Sequence, residues 1–149
     1  MAHILVRKSG PLKGNVKISG AKNAVLPVIA ATLLADGVST IKGVPDLRDV
    51  HVMSDLLRHL GAKVEFKDET LVVDATNINS YDAPYELVSK MRASFLIMGP
   101  LLARFNRSKI SMPGGCAIGT RPIDLHLKGF KAMNALVDME HGYVEAHTK

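Results

Sequence analysis

Leu26-Pro27-Val28-Ile29-Ala30-Ala31-Thr32-Leu33-Leu34-Ala35-Asp36-Gly37-Val38-Ser39-Thr40-Ile41-Lys42 decides the architecture, because its hydrophobic period changes partway along. Leu26, Ile29, Ala30, Leu33 and Leu34 follow the i, i+3, i+4, i+7, i+8 spacing of an amphipathic helix, which Asp36-Gly37 ends. Ser39-Thr40-Ile41-Lys42 then reads as a short strand that stops at Pro45. A second helix follows, with Val50, Met53, Leu57 and Leu60 on one face and Gly61 at its C-terminal end. Lys63-Val64-Glu65-Phe66 and Leu71-Val72-Val73 close the unit as a hairpin around Asp68-Glu69.

The same order recurs further along the chain. A helix is expected near Ser94 to Arg104, a strand over Lys109-Ile110-Ser111-Met112 and a stop at Pro113. Then come a helix with Ile123, Leu127, Phe130 and Met133 and strands around Val137-Asp138-Met139 and Tyr143-Val144. Leu101 follows Leu33, and Pro113 follows Pro45, by 68 residues, whereas Phe130 follows Leu57, and Met133 follows Leu60, by 73. Five residues (73 − 68) have therefore been added after Pro113, in the stretch Gly114-Gly115-Cys116-Ala117-Ile118-Gly119-Thr120. Loops tolerate insertion at small entropic cost, so idle growth is one reading. A functional loop is the other: the stretch holds three glycines and the only cysteine. Arg121 follows it at a helix N-terminus, where free N–H groups and the helix dipole favour anions. A lone cysteine also reads as a small buried hydrophobe.

Composition bounds these readings. The chain of 149 residues suits one domain, with 47% hydrophobic and 22% charged residues, and its 5% aromatic share with seven Met points to an aliphatic core. One cysteine cannot form an internal disulfide, and the start Met1-Ala2-His3-Ile4 lacks the pattern of a signal peptide. A reducing, cytoplasmic setting is the expectation. The longest apolar stretch, 24–35, is interrupted by Pro27 and Thr32 and falls short of the ~20 residues of a membrane span. A net charge of +5 suits an anionic partner, yet the basic residues are spread along the chain without a run or interleaved aromatics. Charge alone does not choose among nucleic acid, a membrane surface and a phosphorylated metabolite, but this spread disfavours nucleic acid.

Three motifs carry a resemblance. The run from Pro113 to His126, Pro-Gly-Gly-Cys-Ala-Ile-Gly-Thr-Arg-Pro-Ile-Asp-Leu-His, is similar to the cysteine-loop signature of the bacterial UDP-N-acetylglucosamine 1-carboxyvinyltransferases. Ser19-Gly20-Ala21-Lys22-Asn23-Ala24 and Met91-Arg92-Ala93-Ser94 match that family in order and spacing, and the likeness extends over essentially the whole chain. The shikimate-pathway enolpyruvyl transferases share the repeat architecture but lack this loop. The resemblance implies an α/β fold built as an inside-out barrel of βαβαββ units, helices within and sheets without. Two of the usual three units would be present, at 22–75 and 90–147 within a partial domain 22–149. Residues 1–21 would belong with the family's other domain, Ile4-Leu5-Val6-Arg7 and Val16-Lys17-Ile18 being strands without their usual neighbours.

The activity implied is transfer of the enolpyruvyl group of phosphoenolpyruvate to the 3′-hydroxyl of UDP-N-acetylglucosamine with release of phosphate, the first committed step of peptidoglycan synthesis. Adding a hydroxyl to an enol phosphate needs an acid at C3 and later a base. Cys116 is the candidate acid; by resemblance it also adds covalently to phosphoenolpyruvate and is the target of fosfomycin, with Arg121 lowering its thiol pKa. Lys22 matches a phosphoenolpyruvate contact, together with Cys116 and Arg121. Asn23, Arg92, Arg121, Pro122, Ile123, Asp124 and Leu125 match contacts to UDP-N-acetylglucosamine. Taken without the resemblance, Lys22 is a solvated lysine, Asn23 an N-cap, Arg92 a surface arginine and Asp124 a first-turn helix acid.

His126 reads as a hydrogen-bonded structural histidine, and no His, Cys and Asp set has metal-ligand spacing, so neither metal nor cofactor is expected. Asn134, where the family typically has glycine, suits a left-handed helix end. By resemblance the chain is a fragment, inactive alone because an aspartate base and several arginines come from the missing half. The rival reading is a non-catalytic UDP-sugar-binding or self-associating module. The apolar faces of the Leu26–Leu34 and Phe95–Leu102 helices, lacking a third helix pair, would drive self-association.

Overall fold

The computed structural model describes residues 3–112 and 123–148. Helix α1 (Lys22–Ala31) starts after Ala21, whose carbonyl accepts hydrogen bonds from the N–H groups of Ala24 and Val25 at 3.1 and 3.0 Å. It tightens into a 3-10 turn over Thr32–Leu34. Three residues per turn instead of 3.6 rotate the apolar face there. Leu33 therefore stays fully buried while Leu34, expected on the same face, is 54% exposed.

Strand β1 (Val38–Lys42), helix α2 (Arg48–His59) and strands β2 (Lys63–Lys67) and β3 (Thr70–Asp74) complete the first half, as an antiparallel sheet of order β1-β3-β2. Asp68 and Glu69 take φ of 48° and 54°, the doubly left-handed turn whose twist matches that of the strands it joins. Gly61, at φ 106°, follows α2 in a conformation that favours glycine.

The second half holds β4 (Asp82–Ala83), α3 (Tyr85–Val88), a 3-10 segment (Arg92–Ile97), α4 (Met98–Phe105), β5 (Arg107–Ser111), α5 (Asp124–Ala132), β6 (Leu136–Glu140) and β7 (Tyr143–His147). The sheet order is β4-β5-β7-β6, with β4 parallel to β5 and the other pairs antiparallel. With β4 set aside, β5-β7-β6 reproduces the order β1-β3-β2. Asn134 adopts φ 65° after α5, as its sequence position suggests. The helix expected over Ser94 to Arg104 divides into its 3-10 and α parts, and β4 and α3 are too short for any hydrophobic period to reveal them.

One hydrophobic core spans both halves, Leu33, Met53 and Leu71 joining Leu101, Ile110 and Val144. Each sheet turns one face inward, Leu71 and Val73 of β3 and Val144 and Ala146 of β7 alternating with less buried neighbours. Arg104 ties the halves together. Its Nη1 donates to the carbonyls of Leu33, Ala35 and Ala75 at 3.1, 3.1 and 2.8 Å, and its Nη2 to the Asp36 carboxylate at 3.1 Å.

Two expectations change. Residues 3–20 contain no strand, and Ile4, Leu5, Val6, Val16 and Ile18 are 78–92% exposed, because a strand needs a paired neighbour and the described residues offer these segments none. The faces of the Leu26–Leu34 and Phe95–Leu102 helices are not left open: Leu26, Ile29, Phe95, Met98 and Leu101 pack into the shared core. The open apolar surface lies instead along α5, where Met133 is 69% exposed beside a 260 Å³ cavity lined by Leu102, Phe130, Met133, Ala135 and Thr148. The described residues form two open sheets and no closed barrel.

Candidate functional site

Gly20 fixes the approach to α1. A Cβ built on it would lie 2.1 Å from the carbonyl oxygen of Gly43, so only a residue without a side chain passes beneath the turn after β1. This path delivers Lys22 and Asn23 to the first turn of α1. Lys22 Nζ pairs with Asp49 Oδ2 at 2.9 Å, Asp49 standing in the first turn of α2. Asn23 is not an N-cap: Ala21 holds that position, and Asn23 lines a cleft.

That cleft, of 310 Å³, opens between α1, the 3-10 segment and the start of α5. Asn23, Leu26 and Pro27 form one wall, Arg92, Phe95 and Leu96 another, and Ile123 and His126 a third. Pro27 has no N–H to give the Asn23 carbonyl its usual helical bond, so a backbone acceptor stands at the same wall without that partner. Arg92 opens the 3-10 segment after Met91, whose backbone is extended. Ser94, in the same motif, is fully buried, and its Oγ has no hydrogen-bond partner among the described residues.

Of the sequence-derived site residues, the structure thus brings Asn23, Arg92 and Ile123 to one cleft. Lys22 lies next to Asn23 in the chain but is paired across to α2. Ile123 caps α5 and is 6% exposed, whereas Asp124 and Leu125 in its first turn face outward, Leu125 at 76%. Asp124 at a helix N-terminus is placed to offset the dipole. Cys116, Arg121 and Pro122 lie outside the described residues.

His126 corrects the sequence reading. It makes no hydrogen bond among the described residues; its ring meets Phe95 edge to face, centroids 5.6 Å apart and planes at 81°, and it lines the cleft. The 73-residue offset held the signal, since His126 falls where the first half has Met53 (126 − 73 = 53), a fully buried core residue.

A larger hollow of 350 Å³ over the second sheet is lined by Lys109, Asp138, Glu140, His141, Tyr143 and Glu145. Its carboxylates make it a poor seat for a phosphorylated anion. Among the described residues no group of three His, Cys, Asp or Glu could hold a metal ion, and no helix is long and apolar enough to cross a membrane.

The EPSP synthase (3-phosphoshikimate 1-carboxyvinyltransferase) family matches residues 6–149, and the chain belongs to that family. Its curated relatives are more specific in name. It is 56% identical over 98% of its length to the UDP-N-acetylglucosamine 1-carboxyvinyltransferase of Desulfosudis oleivorans. It is 57% identical over 97% of its length to UDP-N-acetylglucosamine 1-carboxyvinyltransferase 1 of Caldanaerobacter subterraneus subsp. tengcongensis. The chain spans 35% of the length of each of these relatives. Among solved structures, the enolpyruvyl transferase NikO from Streptomyces tendae superposes with a TM-score of 0.78 at 23% identity, over 93% of this chain and 30% of that one. That likeness speaks to the fold alone.

Proposed function

We propose that the chain supplies the cysteine-loop part of an active site that transfers the enolpyruvyl group of phosphoenolpyruvate to the 3′-hydroxyl of UDP-N-acetylglucosamine, in the cytoplasmic stage of peptidoglycan synthesis. The observation that carries this reading is the convergence of Asn23, Arg92 and Ile123 on one cleft from three distant places in the sequence. Identity of 56–57% to enzymes so named supports the choice of acceptor sugar.

In this reading Asn23 holds the UDP-sugar from the first turn of α1, and Arg92 provides a planar guanidinium for two-point contact with a phosphate. Arg121, Pro122, Ile123, Asp124 and Leu125 cradle the uridine. Lys22 and Arg121 neutralise phosphoenolpyruvate, for which Lys22 exchanges or shares its Asp49 partner. Cys116 protonates C3 as the sugar oxygen adds at C2; a base then removes a C3 proton as phosphate leaves, regenerating the enol ether. The two halves, 22–75 and 90–147, are read as two of three βαβαββ units of an inside-out barrel, residues 1–21 packing with a second domain.

Calorimetric titration of the 149-residue chain with UDP-N-acetylglucosamine tests the site. Saturable binding that Asn23→Ala and Arg92→Ala weaken supports it, and heat indistinguishable from dilution removes it. Without the facing groups that orient and stabilise the transition state, phosphate release stays at background. Release that vanishes in Cys116→Ser would overturn the expectation of an inactive fragment.

Self-association is the second reading, favoured by the exposed apolar residues Ile4, Leu5, Val6, Val16 and Ile18 and by the open cavity beside Met133. Sedimentation across a hundredfold dilution distinguishes a dissociating oligomer from a monomer.

A further inference from the structure

The basic residues are spread along the chain, but the acidic ones are not. No Asp or Glu precedes Asp36, so residues 1–22, with Arg7, Lys8, Lys13, Lys17 and Lys22, hold the whole net charge of +5. The other 127 residues (149 − 22 = 127) balance at 14 basic (19 − 5 = 14) and 14 acidic. The same segment exposes Ile4, Leu5 and Val6 at 78–92% and contains no strand. Its inner end lies against the first half, Gly20 beneath the Gly43 carbonyl and Lys17 Nζ 3.9 Å from Glu69 Oε2. Residues 4–8 form a cationic, apolar arm whose side chains stand clear of their own body.

Among the described residues four strands end the two sheets, β1 and β2 in one, β4 and β6 in the other. An outer strand offers a row of unpaired N–H and C=O groups, which lysines on the strand or a very short length guard. β1 carries Lys42, β2 carries Lys63 and Lys67, and β4 is two residues long. β6, Leu136-Val137-Asp138-Met139-Glu140, has no such guard. Its Leu136 and Met139 are 49% and 60% exposed, and its Asp138 and Glu140 line the 350 Å³ hollow together with Glu145. Val137 and Met139 pair with the buried Ala146 and Val144 and share their core-side face, which leaves Asp138 and Glu140 on the opposite face.

We propose that residues 4–8 of one copy of this chain add as a strand to the open edge of β6 in a second copy. The extended arm supplies the main-chain hydrogen bonds that the edge lacks. Alternation sets Leu5 and Arg7 on one face of the added strand and Ile4, Val6 and Lys8 on the other. With Arg7 on the side of Asp138 and Glu140, Ile4 and Val6 fall on the side of Val137 and Met139, so one orientation satisfies both the charges and the apolar surface. Lys42, Lys63 and Lys67 make the edges of the first sheet poorer seats for a basic arm. The inference rests on the self-association reading given above and names its two surfaces. It asks of the arm what packing with a second domain also asks, a strand to pair with.

Charge reversal tests the pairing. Arg7→Glu with Lys8→Glu reverses the arm, and Asp138→Lys with Glu140→Lys reverses the edge; all four side chains are exposed, so the circular dichroism spectrum is expected to stay that of wild type. Sedimentation of the 149-residue chain over a hundredfold dilution reads the association constant of each protein. Each reversal turns attraction between arm and edge into repulsion and is expected to weaken association at least roughly tenfold. An equimolar mixture of the two reversed proteins is expected to associate as wild type does, because reversed arms meet reversed edges and native arms meet native edges. Association that neither reversal weakens overturns this pairing while leaving self-association in place through other surfaces. Weakening that the mixture fails to restore overturns it too. A wild-type chain that stays monomeric throughout the series overturns both the pairing and the self-association reading.

Discussion

Lys22 and Asp49 meet at 2.9 Å across the first turns of α1 and α2, joining the residue next to the cleft to a helix outside it. The side chains are 48% and 30% exposed, so solvent screens the pair and its share of stability is at most about 1 kcal/mol. Asp49→Asn, which keeps the shape, is expected to lower the urea midpoint only slightly. A loss above ~2 kcal/mol would show that the pair organises the helix start as well.

Arg104 carries far more. Its side chain is 16% exposed and serves three carbonyls and one carboxylate that belong to the first half. Arg104→Ala leaves those oxygens without their charged donor, and a destabilisation of about 2–4 kcal/mol is expected by denaturant titration. Arg104→Lys, with a single ammonium, is expected to recover less than half of the loss, because one point charge cannot reproduce the planar fork. Full recovery by lysine would reduce the role to net charge.

Gly20→Ala places a methyl group 2.1 Å from the Gly43 carbonyl oxygen, and both sides of that contact are backbone. One of the two segments must move, and movement of the chain ahead of α1 shifts Lys22 and Asn23 with it. Nucleotide binding is expected to fall at least tenfold with little change in overall helix content by circular dichroism. Wild-type affinity in this variant would mean that the segment before α1 relaxes without disturbing the cleft.

Ser94→Ala is expected to raise stability by about 1 kcal/mol, since the Ser94 hydroxyl is fully buried with no partner among the described residues to offset its desolvation. Thermal unfolding measures the effect. A destabilised variant would show that the hydroxyl is bonded in solution, through a water or an altered rotamer.

The sequence by itself determined the local elements and their order. Hydrophobic spacing placed α1, α2 and α5, Asp68-Glu69 marked a hairpin and Asn134 a left-handed helix end, and the change of offset from 68 to 73 marked the inserted cysteine loop. These signals are legible because periodicity and backbone preference act between residues a few positions apart. Tertiary structure alone decided the rest. That α1 and α4 bury each other's neighbourhoods instead of waiting for a third unit, that Arg104 clamps Ala75, and that residues 3–20 find no strand to pair with depend on which surfaces meet in space. The cleft is of this second kind. Asn23, Arg92 and His126 are separated by 69 and 34 residues along the chain, and what makes them one site is the packing of three helical segments around a shared hollow, which no local pattern encodes.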